Sequence, residues 1–176
     1  MSSVSEVAAV RILIADHVSV DGASGKASLL GYGIAFIGLD ERSGLTAPFG
    51  LLVAAAVPPT HYDTQCNAIV SLGDSGGAAV MMPASDGHRQ PFIIQQTLKF
   101  SRPIPQTGEA PIAFVPSRAL LGVTFLPGLP LVAGQGYRWR LTLDDETRNE
   151  WTEAFAVVAQ GAIVDSPGPG TPRLVL

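Results

Sequence analysis

Glycine and proline are so frequent in this chain that long helices have no room between them. The 176 residues include 19 glycines and 14 prolines. Both residues disfavour helix interiors and are common in turns. The sequence therefore predicts many short elements joined by turns, a pattern typical of all-β proteins.

Short apolar runs rich in valine, isoleucine and aromatic residues lie between the turn residues, as in β-strands. The run 49–57 is continuously apolar, which predicts a strand buried on both faces. A helix over 147–158 is an alternative, but Phe155, Val157 and Val158 favour a strand. We predict about nine strands, over residues 10–20, 26–37, 49–57, 66–72, 78–82, 92–100, 119–126, 137–143 and 151–158.

These strands predict a single-domain antiparallel β-sandwich, Ig-like or jelly-roll-like, with extended termini. We expect an N-terminal arm over residues 1–9, the sandwich domain over 10–159 and a Pro/Gly-rich C-terminal tail over 160–176.

The most regular strand lies near the C-terminus. Tyr137, Trp139 and Leu141 alternate with Arg138 and Arg140. A period of two predicts one buried face and one exposed face. The core residues expected on this strand and the next are Trp139, Leu141, Phe155 and Val157.

The same aromatic residues have a second interpretation. Exposed on the surface, Tyr137, Trp139 and Trp151 would form a platform for stacking sugars, but aromatics at alternating strand positions are more often core. Arg138 and Arg140 would then point outward, either into solvent or towards carboxylates of a neighbouring molecule.

Charge and cysteine content disfavour several classes of function. Charged residues make up 15% of the chain and the formal net charge is −4, so we expect no direct contact with nucleic acid. The single cysteine, Cys66, excludes an intrachain disulfide. The N-terminus shows no signal-peptide pattern and no apolar run is long enough to span a bilayer, which predicts cytoplasmic synthesis and no membrane contact.

One segment matches a catalytic motif. Residues 73–77 read Gly-Asp-Ser-Gly-Gly, as around the nucleophile of chymotrypsin-like proteases. Such a serine requires a histidine base and a carboxylate that orients it. His61 lies only 14 residues before Ser75, and too little chain follows for the second half of a protease. The flanking apolar runs instead predict a β-hairpin with Ser75 in its turn, and we assign no catalytic residue.

Each of the three histidines has an aspartate close by in the sequence. His17, His61 and His88 lie within two residues of an Asp, and His with Asp is a possible metal-binding combination. None shows the spacing that places two ligands on one face of an element. We therefore expect neither a metal nor a cofactor.

Three segments resemble an uncharacterised family of small β-domain proteins from bacteria and their phages. The first reads ADHVSVDG and GKASLLG (residues 15–22 and 25–31), the second is the 71–80 hairpin, and the third reads FLPG and GYRW (125–128 and 136–139). The resemblance covers residues 10–158 loosely. It implies a β-domain fold and no catalytic residue, because the family has no established activity.

The C-terminal tail has a different composition from the domain. Residues 165–172 are rich in proline and glycine and precede an apolar end. We expect the tail to bind a partner subunit, and the alternative is a tail folded along its own domain. The residues predicted to make the contact are Arg173, Leu174, Val175 and Leu176.

The sequence favours a non-enzymatic structural or interaction subunit of a larger assembly, with other protein subunits as partners and a homo-oligomeric state. Its most specific form is a phage virion protein, a head-decoration or tail-accessory subunit, which would place the chain in the virion. The alternatives are a bacterial cytoplasmic binding module and a serine hydrolase that uses Ser75.

Deletion of residues 167–176 tests the tail prediction. An extended Pro-rich spacer of eight residues reaches about 25 Å, enough to touch a neighbouring subunit. We expect the truncated protein to keep its melting temperature and to associate more weakly in analytical ultracentrifugation. A lower melting temperature with unchanged association would show instead that the tail packs on its own domain.

Overall fold

The computed structural model describes residues 3–22, 25–84, 86–104 and 114–159, which are mostly β-strand. The described chain begins with a short helix, α1 (Val4–Val7), and contains a 3₁₀ turn at Pro59–His61. Neither is long and apolar enough to span a membrane. The strands are β1 (Ala9–Ala15), β2 (His17–Asp21), β3 (Lys26–Leu30), β4 (Phe36–Asp40), β5 (Leu45–Thr46), β6 (Phe49–Val57), β7 (Thr64–Asp74), β8 (Met81–Pro83), β9 (Arg89–Pro91), β10 (Ile93–Phe100), β11 (Ser117–Phe125), β12 (Gly136–Leu143) and β13 (Glu146–Ala159).

Two main sheets share one hydrophobic core. One sheet has the strand order β1-β6-β11, and the other has the order β10-β7-β12-β13-β4-β5. Buried side chains of both sheets belong to a single cluster, which includes Leu51 and Val53 of β6, Val70 of β7 and Trp139 of β12. The prediction of an all-β single domain is confirmed, and the shared core is compatible with a β-sandwich. The pairing is antiparallel except between β4 and β13, which run parallel.

The structure divides two of the predicted strands. Residues 10–20 form β1 and β2 with a break at Asp16, and residues 26–37 form β3 and β4 with a break at residues 31–35. Gly31 has a φ of +67°, and a Cβ at this position would lie 1.9 Å from Oδ2 of Asp16. Only glycine fits this bend, which separates the β2–β3 hairpin from the main sheets.

The β2–β3 hairpin packs on the outer face of the three-stranded sheet. Val18 of the hairpin is buried against Leu52 of β6 in a second, smaller apolar cluster. Glycine in the underlying strands makes room for it. A Cβ at Gly50 would lie 2.6 Å from Cγ2 of Val18, and a Cβ at Gly122 would lie 2.6 Å from Cγ2 of Val20. Any larger residue at these positions would displace the hairpin.

The predicted core residues of the last two strands are confirmed. Trp139, Leu141, Phe155 and Val157 are all buried. Residues 147–158 lie within β13, so the helical alternative is wrong. Tyr137 and Trp151 are buried as well, and the aromatic residues of these strands therefore form no exposed sugar platform.

Trp139 lies at the centre of an aromatic group. Its ring stacks on Phe125 at a centroid distance of 5.5 Å and lies 6.0 Å from Phe92. Phe125 in turn contacts Phe49 at 4.7 Å. The indole N–H has no hydrogen-bond partner in the described part of the chain. Packing alone therefore holds the Trp139 side chain, which contacts β11 through Phe125, and Phe125 in turn links it to β6.

The Trp139→Ala variant tests this role. We expect the free energy of unfolding to fall by about 3–5 kcal/mol, because truncation of a buried aromatic leaves a cavity. Denaturant unfolding measures the change. Arg138→Ala, on the exposed face of the same strand, is the matched control and should alter stability little. Equal unfolding midpoints for Trp139→Ala and wild type would contradict the packing role.

Candidate functional site

Ser75 lies in a turn that Asp74 organises. The Asp74 backbone N–H donates to the carbonyl of Ala78, and the Asp74 carboxylate accepts from the Ala78 N–H, both at 2.9 Å. Gly77 has a φ of +87° and donates its N–H to the Asp74 carbonyl. Ser75 is exposed and forms no hydrogen bond with a histidine anywhere in the described residues. The predicted turn position of Ser75 is confirmed.

Strand pairing after this turn is shorter than the sequence predicts. Beyond the Asp74–Ala78 bonds, the segments before and after the turn are joined by one β-bridge, Gly73 with Ala79, and by a hydrogen bond from the Val80 N–H to the Leu72 carbonyl. The chain then leaves the main sheet, and β8 pairs with β9 in a separate two-stranded sheet.

One of the aspartates beside a histidine, Asp86, has a backbone partner. The Asp86 carboxylate accepts from the His88 backbone N–H at 3.0 Å, which stabilises the loop. Nδ1 of His61 lies 2.9 Å from the hydroxyl of Thr60, and His17 is exposed on β2. Within residues 3–22, 25–84, 86–104 and 114–159, no group of three or more His, Cys, Asp or Glu side chains is placed to hold a metal.

Two ionisable side chains have pKa values raised by burial. Burial, assisted by the nearby Asp144 carboxylate, raises the pKa of the Cys66 thiol to about 11. The thiol is therefore protonated at neutral pH and is a poor nucleophile. Burial also raises the pKa of Glu153. Glu153 is opposite Trp139 on the neighbouring strand.

A depression of about 90 Å³ lies beside the Ser75 turn, lined by Gly73, Asp74, Arg138 and Arg140 among others. Both arginines are exposed, as predicted for the outward face of β12. Sites for organic ligands usually occupy about 300 Å³ or more. This depression is therefore too small to hold one.

The segment 30–36 exposes three large apolar side chains on an anchored backbone. Leu30, Tyr32 and Phe36 are 70%, 66% and 68% exposed. The Gly33 N–H donates to the carbonyl of Ile14 in β1, and the Ala35 carbonyl accepts from Ala156 in β13. We call Leu30, Tyr32 and Phe36 the apolar patch. The apolar run 26–37 predicts one continuous strand and gives no sign of this patch, although Gly31 and Gly33 mark an irregularity within it.

A groove of about 580 Å³ lies on the outer face of the three-stranded sheet, next to the tip of the β2–β3 hairpin. Its floor includes Ala54 and Ala56 of β6. Three basic side chains line it, namely Arg11 of β1, Arg118 of β11 and Lys26 of β3. We call this feature the basic groove. No local sequence pattern indicates the groove, because its basic residues are far apart in the chain.

The predicted tail contact lies outside the described residues, which end at Ala159. The partner-binding role of Arg173, Leu174, Val175 and Leu176 therefore stays a prediction.

Comparison with known proteins assigns no family to the chain. No protein-family model matches it, and no curated protein matches it.

Replacing Ser75 tests the assignment of residues 73–77 as a turn. We expect Ser75→Ala to keep the wild-type melting temperature, because the hydrogen bonds of the turn come from Asp74 and the backbone. A fluorophosphonate probe should not label the wild-type protein. Asp74→Ala is the contrasting variant and should lower the melting temperature, since it removes the carboxylate that accepts from Ala78. Labelling that depends on Ser75 would restore the hydrolase hypothesis.

Proposed function

We propose that the chain is a non-enzymatic structural or interaction subunit of a larger assembly. The apolar patch carries this proposal. Three large apolar side chains within seven residues are each about two-thirds exposed. Single exposed apolar residues are normal on a monomer, whereas a group of them is typical of a protein–protein contact.

The patch continues onto the six-stranded sheet. Phe36 lines a depression of about 270 Å³ together with Ala154 and Ala156 of β13. Small side chains beside an exposed aromatic ring leave space for a side chain of a partner. Burial of Leu30, Tyr32 and Phe36 would contribute roughly 1.5–3 kcal/mol each before the cost of association.

The backbone of the patch is anchored before any partner binds. Gly33 is hydrogen-bonded to β1, and Ala35 is hydrogen-bonded to β13. An anchored backbone loses less conformational entropy on association than a free loop does. The anchored backbone therefore supports the interpretation of segment 30–36 as a contact surface rather than as an unstructured connection between β3 and β4.

The most specific form of the proposal is a phage virion protein, either a head-decoration or a tail-accessory subunit. Its support is the resemblance of the 15–31, 71–80 and 125–139 segments to the family with phage members. The predicted subunit contact of the tail is consistent with it. A bacterial binding module is the second candidate, and the basic groove would favour it if the occupant were an anionic partner other than a second copy of the chain.

A triple variant of the patch tests the proposal. We expect Leu30→Ser, Tyr32→Ser and Phe36→Ser together to weaken association with partner subunits by tenfold or more, equivalent to about 1.4 kcal/mol. Sedimentation velocity measures self-association, and electron microscopy of native particles shows whether the chain occupies a regular assembly. The folded state should be retained, because all three side chains are exposed.

Ile104→Ser is the matched control, since Ile104 is 87% exposed on a different segment. It should leave association unchanged. If the triple variant assembles as well as wild type, the patch is not the contact surface. A wild-type chain that neither self-associates nor enters particles would contradict the subunit proposal itself.

A further inference from the structure

The basic groove concentrates positive charge on an otherwise acidic protein. Three of the chain's eleven basic residues line it, although the net charge is −4. No acidic side chain lines the groove. Within the described ranges the ion pair is Arg148 with Glu150, and neither Arg11 nor Arg118 forms one there. Lys26 lies opposite Asp21 across the β2–β3 hairpin.

The register of the strands places the basic side chains on either side of an apolar floor. Arg11 is the partner of Ala54 across the β1–β6 pair, and Arg118 is the partner of Ala56 across the β11–β6 pair. Cross-strand partners project from the same face of a sheet. Neighbouring strands are about 4.8 Å apart, so the two arginines flank an alanine strip about 10 Å wide. Lys26 approaches from the hairpin tip.

The groove is open rather than enclosed. Of its lining residues Ala55 alone is buried, and the three cationic residues are exposed. Sites for small molecules usually bury most of the ligand. An open strip lined by cations suits an acidic turn that projects from another macromolecule. Such a turn needs no enclosing pocket, because the rest of that macromolecule is already folded.

The same chain carries such a protrusion. The β12–β13 turn contains Asp144, Asp145 and Glu146, and Glu150 follows shortly after. Four of the fifteen acidic residues thus lie within seven positions. The side chains of Asp145 and Glu146 are exposed, and neither carboxylate forms a hydrogen bond or ion pair in the described part of the chain.

The acidic turn is held in one conformation. Asp144 and Asp145 have φ values of +46° and +67°, as in the tight turns that connect β-hairpins. Asp144 exchanges two hydrogen bonds with Asn67, from its N–H to the Asn67 carbonyl and from the Asn67 N–H to its carboxylate. Aspartate, like asparagine and glycine, tolerates this left-handed conformation, so the turn geometry accounts for both aspartates and leaves the Asp145 side chain exposed.

We propose that the basic groove binds the β12–β13 turn of a second copy of the chain, with Asp145 and Glu146 paired to Arg11, Arg118 and Lys26. The inference rests on the proposed function, because it requires that the chain self-assembles. The groove lies on the outer face of the three-stranded sheet and the turn belongs to the six-stranded sheet. Each copy carries one groove and one turn, so the contact is reciprocal in a two-fold dimer and head-to-tail in a ring or filament.

Charge-swap variants test the pairing. Variant G carries Arg11→Glu and Arg118→Glu, and variant T carries Asp145→Lys and Glu146→Lys. We expect each variant alone to self-associate at least about tenfold more weakly than wild type, because each one places like charges together. An equimolar mixture of G and T should recover association, since each groove then faces a turn of opposite charge. Sedimentation velocity on the full-length protein measures the self-association of G, of T and of their mixture. Wild-type association should weaken as ionic strength rises.

Lys99→Glu with Arg140→Glu is the matched control, because it makes the same charge change at exposed positions outside both the basic groove and the depression beside Phe36. It should associate like wild type. The neutral variant Arg11→Gln with Arg118→Gln should show an intermediate loss. Wild-type melting temperatures for G and T would show that the variants fold.

Three results would overturn the inference. The first is a wild-type chain that stays monomeric, and the second is a mixture of G and T that does not recover association. The third is binding of inorganic pyrophosphate or of a nucleic acid at Arg11 and Arg118 with self-association unaffected, which would assign the groove another occupant. Association that survives in G and T but is lost in the apolar-patch variant would overturn the inference and leave the proposed function intact.

Discussion

Strand β6 is covered along the whole of its inner face and over the first half of its outer face, and the packing on each side depends on side-chain size. Phe49, Leu51 and Val53 project into the core shared by the two main sheets. Leu52 projects the other way and is buried under the β2–β3 hairpin. Gly50 on the same outer face lets Val18 approach closely. A continuous apolar run thus supports a core on one side and a covering hairpin on the other.

The outer face of β6 also explains where the surface is open. Gly50 and Leu52 lie under the hairpin, whereas Ala54 and Ala56 extend beyond its tip and form the floor of the basic groove. A methyl side chain is too short to fill the space beside an arginine on each flanking strand. The two halves of this face therefore differ mainly in their cover. The hairpin lies over Gly50 and Leu52, whereas nothing in the described chain fills the space over Ala54 and Ala56.

Several turns of this fold are stabilised by aspartate side chains. Asp40, Asp74, Asp86 and Asp144 each accept a hydrogen bond from a backbone N–H through a carboxylate oxygen. Such bonds stabilise the charged form, and the Arg42 N–H accordingly lowers the pKa of Asp40, with help from the Ser43 hydroxyl. The carboxylates of Asp74 and Asp86 thus stabilise turns, which accounts for the aspartate of the 73–77 motif and for the one beside His88. Asp145 differs, since its carboxylate has no such partner in the described residues.

The sequence by itself determined the all-β class, the buried face of β12 and the turn position of Ser75, because period-two alternation and turn residues act over a few neighbouring positions. It did not determine where the chain leaves a sheet. The bend at Gly31 brings the backbone close to the Asp16 side chain, fifteen positions earlier, and β8 leaves β7 to pair with β9. The basic groove was equally hidden, because Arg11, Lys26 and Arg118 meet only when three separate strands assemble. Such contacts join residues far apart in the chain, so local pattern carries no signal for them, and only the tertiary structure decided them.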